Sequence, residues 1–528
     1  TLHNPTSWVI SLAFVAMASE CVRSTMSLLY WSMLAACTVG PGTVVTCARS
    51  GVEYQLHLAW SLIFASILAY TLQEGGARLT LVSGKTLGQC LQKKFGITSS
   101  LGAPRACWAF SFAVYIGNLL YQCNNFAGGI DAVFAIPGME NLNPDGVRVA
   151  GCFIYGALVL AILYMDKVDV IGIGLVVVMM AMIGLFLAAA TTVGFSGSDL
   201  LLGFIPTVPH MSSLPHAAAP CEMILSLVGT TAIGFNIFLG GSMAVGKELN
   251  ACRRGIAFST VSTLIVSLLI MVVGSSSARR VPDLGSFNIG LLADSIQEYF
   301  GKPGTFAFAL GFIAAALSSM LTVVIGSALC AEGLIVTERQ DPHTGNKAKL
   351  PRRGFWSIAF SMVAIAMMTI VLNAPRPSVI LVAQLFNGIL LPFYSLALLL
   401  CITDPQFMSS SPPKRWSILA LVASVTVTLI LAWRVILEHG AILLSVIIGV
   451  NLHEDRQLLL FIAAVLGLLS MVAFWTFARC GQKDIFAHDF SSDEGSSVSG
   501  TISGTSIGNA TESEGEGKML REKHVDQC

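Results

Sequence analysis

Val39-Gly40-Pro41-Gly42-Thr43 interrupts an otherwise apolar stretch at residues 26–47. Glycine frees the backbone. Proline removes an amide donor and clashes with the preceding turn, so an α-helix does not run through this sequence intact. In a bilayer an opened helix strands backbone polar groups, which is tolerated only where they face protein or line a water-filled cavity. The break therefore marks a place for something polar inside a membrane helix. It carries no acidic residue.

That the helix belongs in a membrane follows from composition. The 528 residues are 54% hydrophobic and 11% charged, with a mean hydropathy of +0.75. A soluble chain is about a quarter charged. Spans need about 20 mostly apolar residues. Runs of that kind fall at 26–47, 54–72, 106–133, 149–164, 168–194, 221–244, 256–277, 304–333, 354–373, 378–402, 415–434 and 457–478. The chain reads as an all-α polytopic membrane protein of about 11–12 transmembrane helices. The run 441–450 is too short to cross and reads as re-entrant. Residues 1–25 read as an N-terminal segment, interfacial around 8–19, and the start at Thr1 suggests truncation.

Basic residues gather in alternate loops: Arg78, Lys85, Lys93, Lys94 and Arg105; Lys247, Arg253 and Arg254; Arg339, Lys347, Lys349, Arg352 and Arg353; Lys414 and Arg415. The positive-inside rule places these loops in the cytosol, and both termini with them. Arg279 and Arg280 run against the trend. From residue 481 Ser, Gly, Thr and acidic residues replace the apolar runs. Residues 481–528 therefore read as a disordered cytosolic tail.

A second interruption falls in the sixth span, where Gly229, Gly234, Gly240 and Gly241 surround the polar Asn236. Matched interruptions in two halves of a chain point to a transporter binding site. Glycines alone also serve close helix packing, which is the plainer reading of Gly240 and Gly241. Asn118, Gln122 and Asn125 share one face of the third span at i, i+4 and i+7. They either line a permeation path or bond neighbouring helices.

Other chemistries find no support. The net charge is zero, so no nucleic-acid partner is implied, and the 13 cysteines form no CxxC or zinc-type spacing. His210 and His216 lie close in a Pro-rich loop, but two ligands do not complete a metal site. No GxxxxGK[ST] loop is present, so nothing points to an ATP-driven pump; no catalytic constellation or cofactor motif is visible.

Several stretches resemble the NRAMP family of divalent-metal transporters. Gly40-Pro41-Gly42-Thr43 stands where the family has Asp-Pro-Gly-Asn, and is followed by Tyr54 and Leu58-Ala59-Trp60. The most specific match runs from Leu72-Gln73-Glu74 through Ala77-Arg78-Leu79 to Val82-Ser83-Gly84-Lys85-Thr86-Leu87-Gly88. Ser318-Ser319, Glu332-Gly333, Gln384 and Leu391-Pro392-Phe393 are similar to family motifs of spans eight and ten. The resemblance covers residues 26–402. It implies a LeuT-type fold with inverted five-helix repeats at about 26–194 and 221–402 and extra helices at about 415–478. It also implies a site between broken helices one and six.

The departures from the family fall on that site. The metal-binding Asp aligns with Gly40, the Asn with Thr43, the thioether Met with Ile233, and the Pro-His pair with Gly234-Phe235. Two backbone-carbonyl positions align with Cys37 and Thr230, and the proton-handling carboxylates of span three with Asn118 and Gln122. The substrate-binding set expected from the alignment is Cys37, Gly40, Thr43, Thr230, Ile233, Asn236 and Gln384, with Asn118, Gln122 and Asn125 on the path. The set holds no carboxylate or thioether; it offers hydroxyls, amides, opened backbone carbonyls and the Cys37 thiol. Three functions remain open. One is transport of a divalent metal of the manganese, iron or magnesium class. A second is transport of an anion or small polar solute, since half-helix N-termini are partly positive. The third is a non-transporting membrane sensor. Proton coupling, a family trait, loses its carboxylates and histidines here. The partners implied are the lipid bilayer and the transported ion or solute.

Overall fold

The computed structural model describes residues 34–35, 38–96, 103–139, 142–165, 180–181, 183–192, 196–212, 214, 217–278, 289–336, 349–408, 412–448 and 462–472, with side chains not described from 440 to 448. Cys37, the segment 1–25, the tail 481–528, and large parts of spans one, five and twelve lie outside these residues.

Among the described residues every regular element is a helix. Helix α1 is Pro41–Tyr54, α2 Ala59–Ser83, α3 Leu87–Phe95, α4 Arg105–Phe134 and α5 Pro144–Met165. Two short helices, α6 Ile183–Thr192 and α7 Gly197–Gly203, follow, with a bend of 119° between them. Then come α8 Pro220–Thr231, α9 Asn236–Ala244, α10 Leu249–Ser276, α11 Gly290–Ile335, α12 Arg352–Val371, α13 Arg376–Ile402, α14 Pro405–Met408 and α15 Arg415–Ile448. The last is α16, Ile462–Val472.

Seven described spans are long and apolar enough to cross a bilayer: α5, α8 with α9, α10, α11, α12, α13 and α15. They match the expected spans four, six to ten and eleven. Helices α2 and α4, with 25 and 30 residues, are also long enough. They bury Gln73, Glu74 and Arg78, and Asn118, Gln122, Asn124, Asn125 and Asp131, against other helices. Their polar content belongs to the protein interior, where each group meets protein rather than lipid.

The expectation of a re-entrant segment at 441–450 is corrected. Helix α15 runs on through residues 441–448 without interruption. Gly440 is the only helix-weakening residue there, and one glycine costs about 1 kcal/mol, too little to end an apolar helix. The expected eighth span at 304–333 is the longer segment of α11; it follows a shorter helical segment from Gly290, and the two meet at a non-helical Gly301 (φ 63°) just before Pro303.

The basic loops meet at one end of the bundle. Gln92 of α3 donates to the carbonyls of Gly333 (2.9 Å) and Val336 (3.1 Å) at the end of α11. Lys94 pairs with Asp404 at 2.6 Å, after α13. Arg253 of α10 shares Glu74 of α2 with Arg78, at 2.8 and 2.6 Å. The loops after spans two, six, eight and ten thus converge, as the alternation of Lys and Arg requires. At the other end Asp131 of α4 pairs with Arg376 of α13, and Arg148 of α5 bonds Asn373 at 2.7 Å.

Candidate functional site

Both expected breaks are present, and they touch. Residues Leu34, Ala35 and Thr38 are helical, the chain opens at Val39 and Gly40, and α1 restarts at Pro41. Proline suits that first helical position because its missing amide would be unbonded there anyway. Gly40 caps the helix in an extended conformation (φ −100°, ψ −173°). In the second break α8 stops at Thr231 and α9 restarts at Asn236. The Ala232 amide still donates to Val228, and the next amide bond beyond it is donated by Asn236, to Ile233.

Four side chains sew the breaks together. The Thr43 hydroxyl donates to the Thr38 carbonyl at 2.6 Å and lies 3.0 Å from the Thr230 hydroxyl. Thr43 has one hydroxyl proton, and the Thr38 carbonyl takes it, so Thr230 is the donor in the second bond. The Asn236 amide donates to the Thr38 hydroxyl at 3.2 Å. That hydroxyl in turn donates to the Leu34 carbonyl at 2.9 Å. Thr38 is therefore the hub, and nothing in the sequence distinguished it from any hydroxyl that back-bonds within a membrane helix. On its far side Thr38 joins Gln73, Thr231, Ser259, Thr260 and Thr263 around a polar cavity of ≈ 10 Å³.

The glycines of the first break are filled by neighbours. A Cβ on Gly40 would come within 2.4 Å of the Ser319 hydroxyl of α11 and 3.7 Å of the Asn125 carbonyl oxygen of α4. A Cβ on Gly42 would lie 1.9 Å from the Gln384 amide nitrogen of α13 and 2.9 Å from that of Asn124. Ser319 thus occupies the space an Asp side chain at position 40 would need. In the second break Gly234 lies against the Tyr394 ring, where a Cβ would meet the ring at 2.3 Å. The family's proline has no room beside that ring. Ile233 is 3% exposed and offers no donor atom.

Beside the breaks, and on α4 at Gln122, lie fully buried polar atoms with no protein partner. They are both amide atoms of Gln122 and of Gln384, Asn124 Oδ1, Asn125 Nδ2, Asn236 Oδ1 and Ser319 Oγ. Buried polar groups are nearly always bonded, and leaving one unbonded costs about 1–3 kcal/mol. Several in one place fit a polar ligand. The row expected on α4 divides. Asn118 donates to Ser327 of α11 at 2.8 Å, which is the interhelical bond of the plainer reading. Gln122 and Asn125 keep unpaired atoms.

The site is formally neutral. Buried carboxylates elsewhere are matched by cations: Glu53 by Arg49, Glu74 by Arg78 and Arg253, Asp131 by Arg376, and Asp404 by Lys94. Among the described residues no three His, Cys, Asp or Glu side chains are grouped to hold a metal ion. What the site offers is amide and hydroxyl oxygens, amide hydrogens and opened backbone.

Comparison with known proteins agrees with this architecture. Residues 32–438 match the sequence profile of the family described as Nramp, natural resistance-associated macrophage protein-like. A divalent metal cation transporter MntH of Lacticaseibacillus casei is 22% identical over 421 residues, covering 73% of this chain and 86% of the relative. A natural resistance-associated macrophage protein 2 homolog of Dictyostelium discoideum is 23% identical over 389 residues, covering 70% of this chain and 56% of the relative. The crystal structure of an Eremococcus coleocola manganese transporter superposes with a TM-score of 0.64 at 17% identity, over 87% of this chain and 96% of that one. Fold and sequence profile concur, and the profile spans most of the chain: this is an integral, multi-pass membrane protein that belongs to the Nramp family.

Proposed function

We propose that the chain transports a divalent metal cation through the neutral site between the two breaks, and that it does so without moving protons. The observation that carries this reading is the set of buried, unpaired amide and hydroxyl groups on Gln122, Asn124, Asn125, Asn236, Ser319 and Gln384. A bare divalent ion in a low-dielectric site needs compensating charge. Among the described residues at the breaks no carboxylate or thioether supplies it. A cation that keeps part of its water shell presents outward-pointing hydrogens, and amide and hydroxyl oxygens accept them. Magnesium sheds water reluctantly and suits such a site; without a soft sulfur donor, the site has little means to prefer transition metals.

The support from relatives is that the MntH protein of Lacticaseibacillus casei is named a divalent metal cation transporter. Proton coupling needs a group that titrates on the path, and among the described residues the polar side chains at the breaks are those of Thr, Ser, Asn and Gln. In this proposal residues 26–194 and 221–402 are the two repeats, helices at 415–478 are accessory, and both termini lie in the cytosol with the converged basic loops.

Uptake of Mg²⁺ and Mn²⁺ into liposomes holding the purified chain tests the proposal, with chloride and bicarbonate fluxes measured beside it. Metal uptake is expected. Anion flux without metal flux would replace this reading with the anion carrier, and no flux at all would favour a sensor.

A further inference from the structure

A second site lies away from the breaks, on the flank of the bundle. A cavity of ≈ 510 Å³ opens between the C-terminal end of α5, the outer face of α11 and the N-terminal end of α12. Its inner wall is apolar, built by Leu163, Ile325, Ala328 and Leu329. Two aromatic rings, Tyr164 and Trp356, stand at its edge with centroids 6.2 Å apart. Two cations, Lys349 and Arg352, also line it, together with Glu332, Leu350 and Phe355. Neither cation is paired with an acidic side chain among the described residues; the carboxylate in the cavity, Glu332, accepts from the Leu350 amide at 3.0 Å.

The position decides what fits. Helices α5 and α12 are peripheral: only 39% and 28% of their apolar windows are buried. The cavity therefore faces lipid, at the end of the bundle where the basic loops converge. Aromatic rings of this kind sit at the headgroup level of a bilayer. An apolar wall below, aromatic rings at the interface and unpaired cations above match an acyl chain, a glycerol backbone and an anionic headgroup in that order. Basic pockets between transmembrane helices on the cytoplasmic side bind anionic lipids by this logic. A phosphatidylcholine headgroup carries its own cation and gains nothing from Lys349 and Arg352.

We propose that this cavity is a binding site for one anionic glycerophospholipid. It does not depend on what the central site carries.

The test is native mass spectrometry of the full chain in detergent, titrated with phosphatidylglycerol or phosphatidylcholine. One phosphatidylglycerol should be retained in preference to phosphatidylcholine. Lys349→Ala with Arg352→Ala should weaken its binding roughly tenfold or more, two interfacial charges being lost. Arg353→Ala, which removes a neighbouring exposed cation outside the cavity, should leave binding unchanged. Inorganic phosphate should fail to displace the lipid. Equal binding of the two lipids, an undiminished double variant, an equal loss in the Arg353 variant, or displacement by phosphate would each overturn the proposal.

Discussion

The hydroxyls of Thr43 and Thr230 lie 3.0 Å apart and join two helix breaks that are 187 residues apart in sequence. Each threonine belongs to a different interrupted span, so this bond reports directly on how the breaks are held together. The Thr38 carbonyl, which accepts from Thr43, and the Thr38 hydroxyl, which accepts from Asn236, extend it into a small network.

Double-mutant analysis should resolve that bond. Thr43→Val and Thr230→Val each lower thermal stability in detergent, and the double variant loses less than the sum. The coupling expected is about 0.6 kcal/mol, the typical value for a hydrogen bond between membrane helices. Additive losses would mean that the two hydroxyls do not interact.

Restoring an acid to the first break needs more than one substitution. Gly40→Asp drives its Cβ against the Ser319 hydroxyl, 2.4 Å away, so the single variant should give less folded protein. Adding Ser319→Ala removes that hydroxyl and should recover the yield. With Ile233→Met as well, the chain should bind Mn²⁺ more tightly by calorimetry than the unaltered chain does. Equal folding of Gly40→Asp with and without Ser319→Ala would show that the hydroxyl is not the obstacle.

The unpaired amides should behave as site residues, not structural ones. Gln122→Leu and Gln384→Leu remove buried groups whose lack of partners costs about 1–3 kcal/mol each. Melting temperatures should hold or rise while uptake falls. Asn118→Leu removes a real bond to Ser327 and should lower stability modestly. A fall in stability for the two Gln variants as large as that for Asn118→Leu would argue against a ligand role.

At the other end of the bundle, Asp131→Ala leaves Arg376 without its carboxylate. Breaking a fully buried pair costs about 3–5 kcal/mol. The loss here should be smaller, because the Arg376 side chain is 26% exposed and its guanidinium still lies over the Phe134 ring at 5.2 Å. A melt of the variant against Arg376→Ala measures it, and a loss at the full buried value would mean that the pair is better sealed than its exposure implies.

Much of the site was legible because breakers and polar residues are conspicuous in apolar runs. Gly40-Pro41-Gly42 and Gly234-x-Asn236 announced both breaks, and Thr43, Thr230 and Asn236 do meet there. The alternation of basic loops likewise anticipated that the segments holding Lys94 and Arg253 lie at one end of the bundle, though not their partners. Sequence spacing gives no information on which helix faces which, so Ser319 against Gly40, Gln384 against Gly42 and Tyr394 against Gly234 emerge only from packing. Thr38 was hidden for another reason: a threonine that bonds its own helix backbone has the same sequence signature as one that ties two helices. The row on α4 could not be divided beforehand, since spacing along one helix does not show that α11 presents Ser327 to Asn118.

The claim that a neutral site moves a divalent cation alone is tested most directly by recording charge and proton movement together. The chain is reconstituted in liposomes with an internal pH dye, an inward Mg²⁺ or Mn²⁺ gradient is imposed, and the membrane potential is followed. The account predicts metal entry that drives the lumen positive, with no acidification and with the same rate across neutral pH. Acidification in step with metal entry would contradict it, and so would a potential set by an anion gradient while metal stays outside.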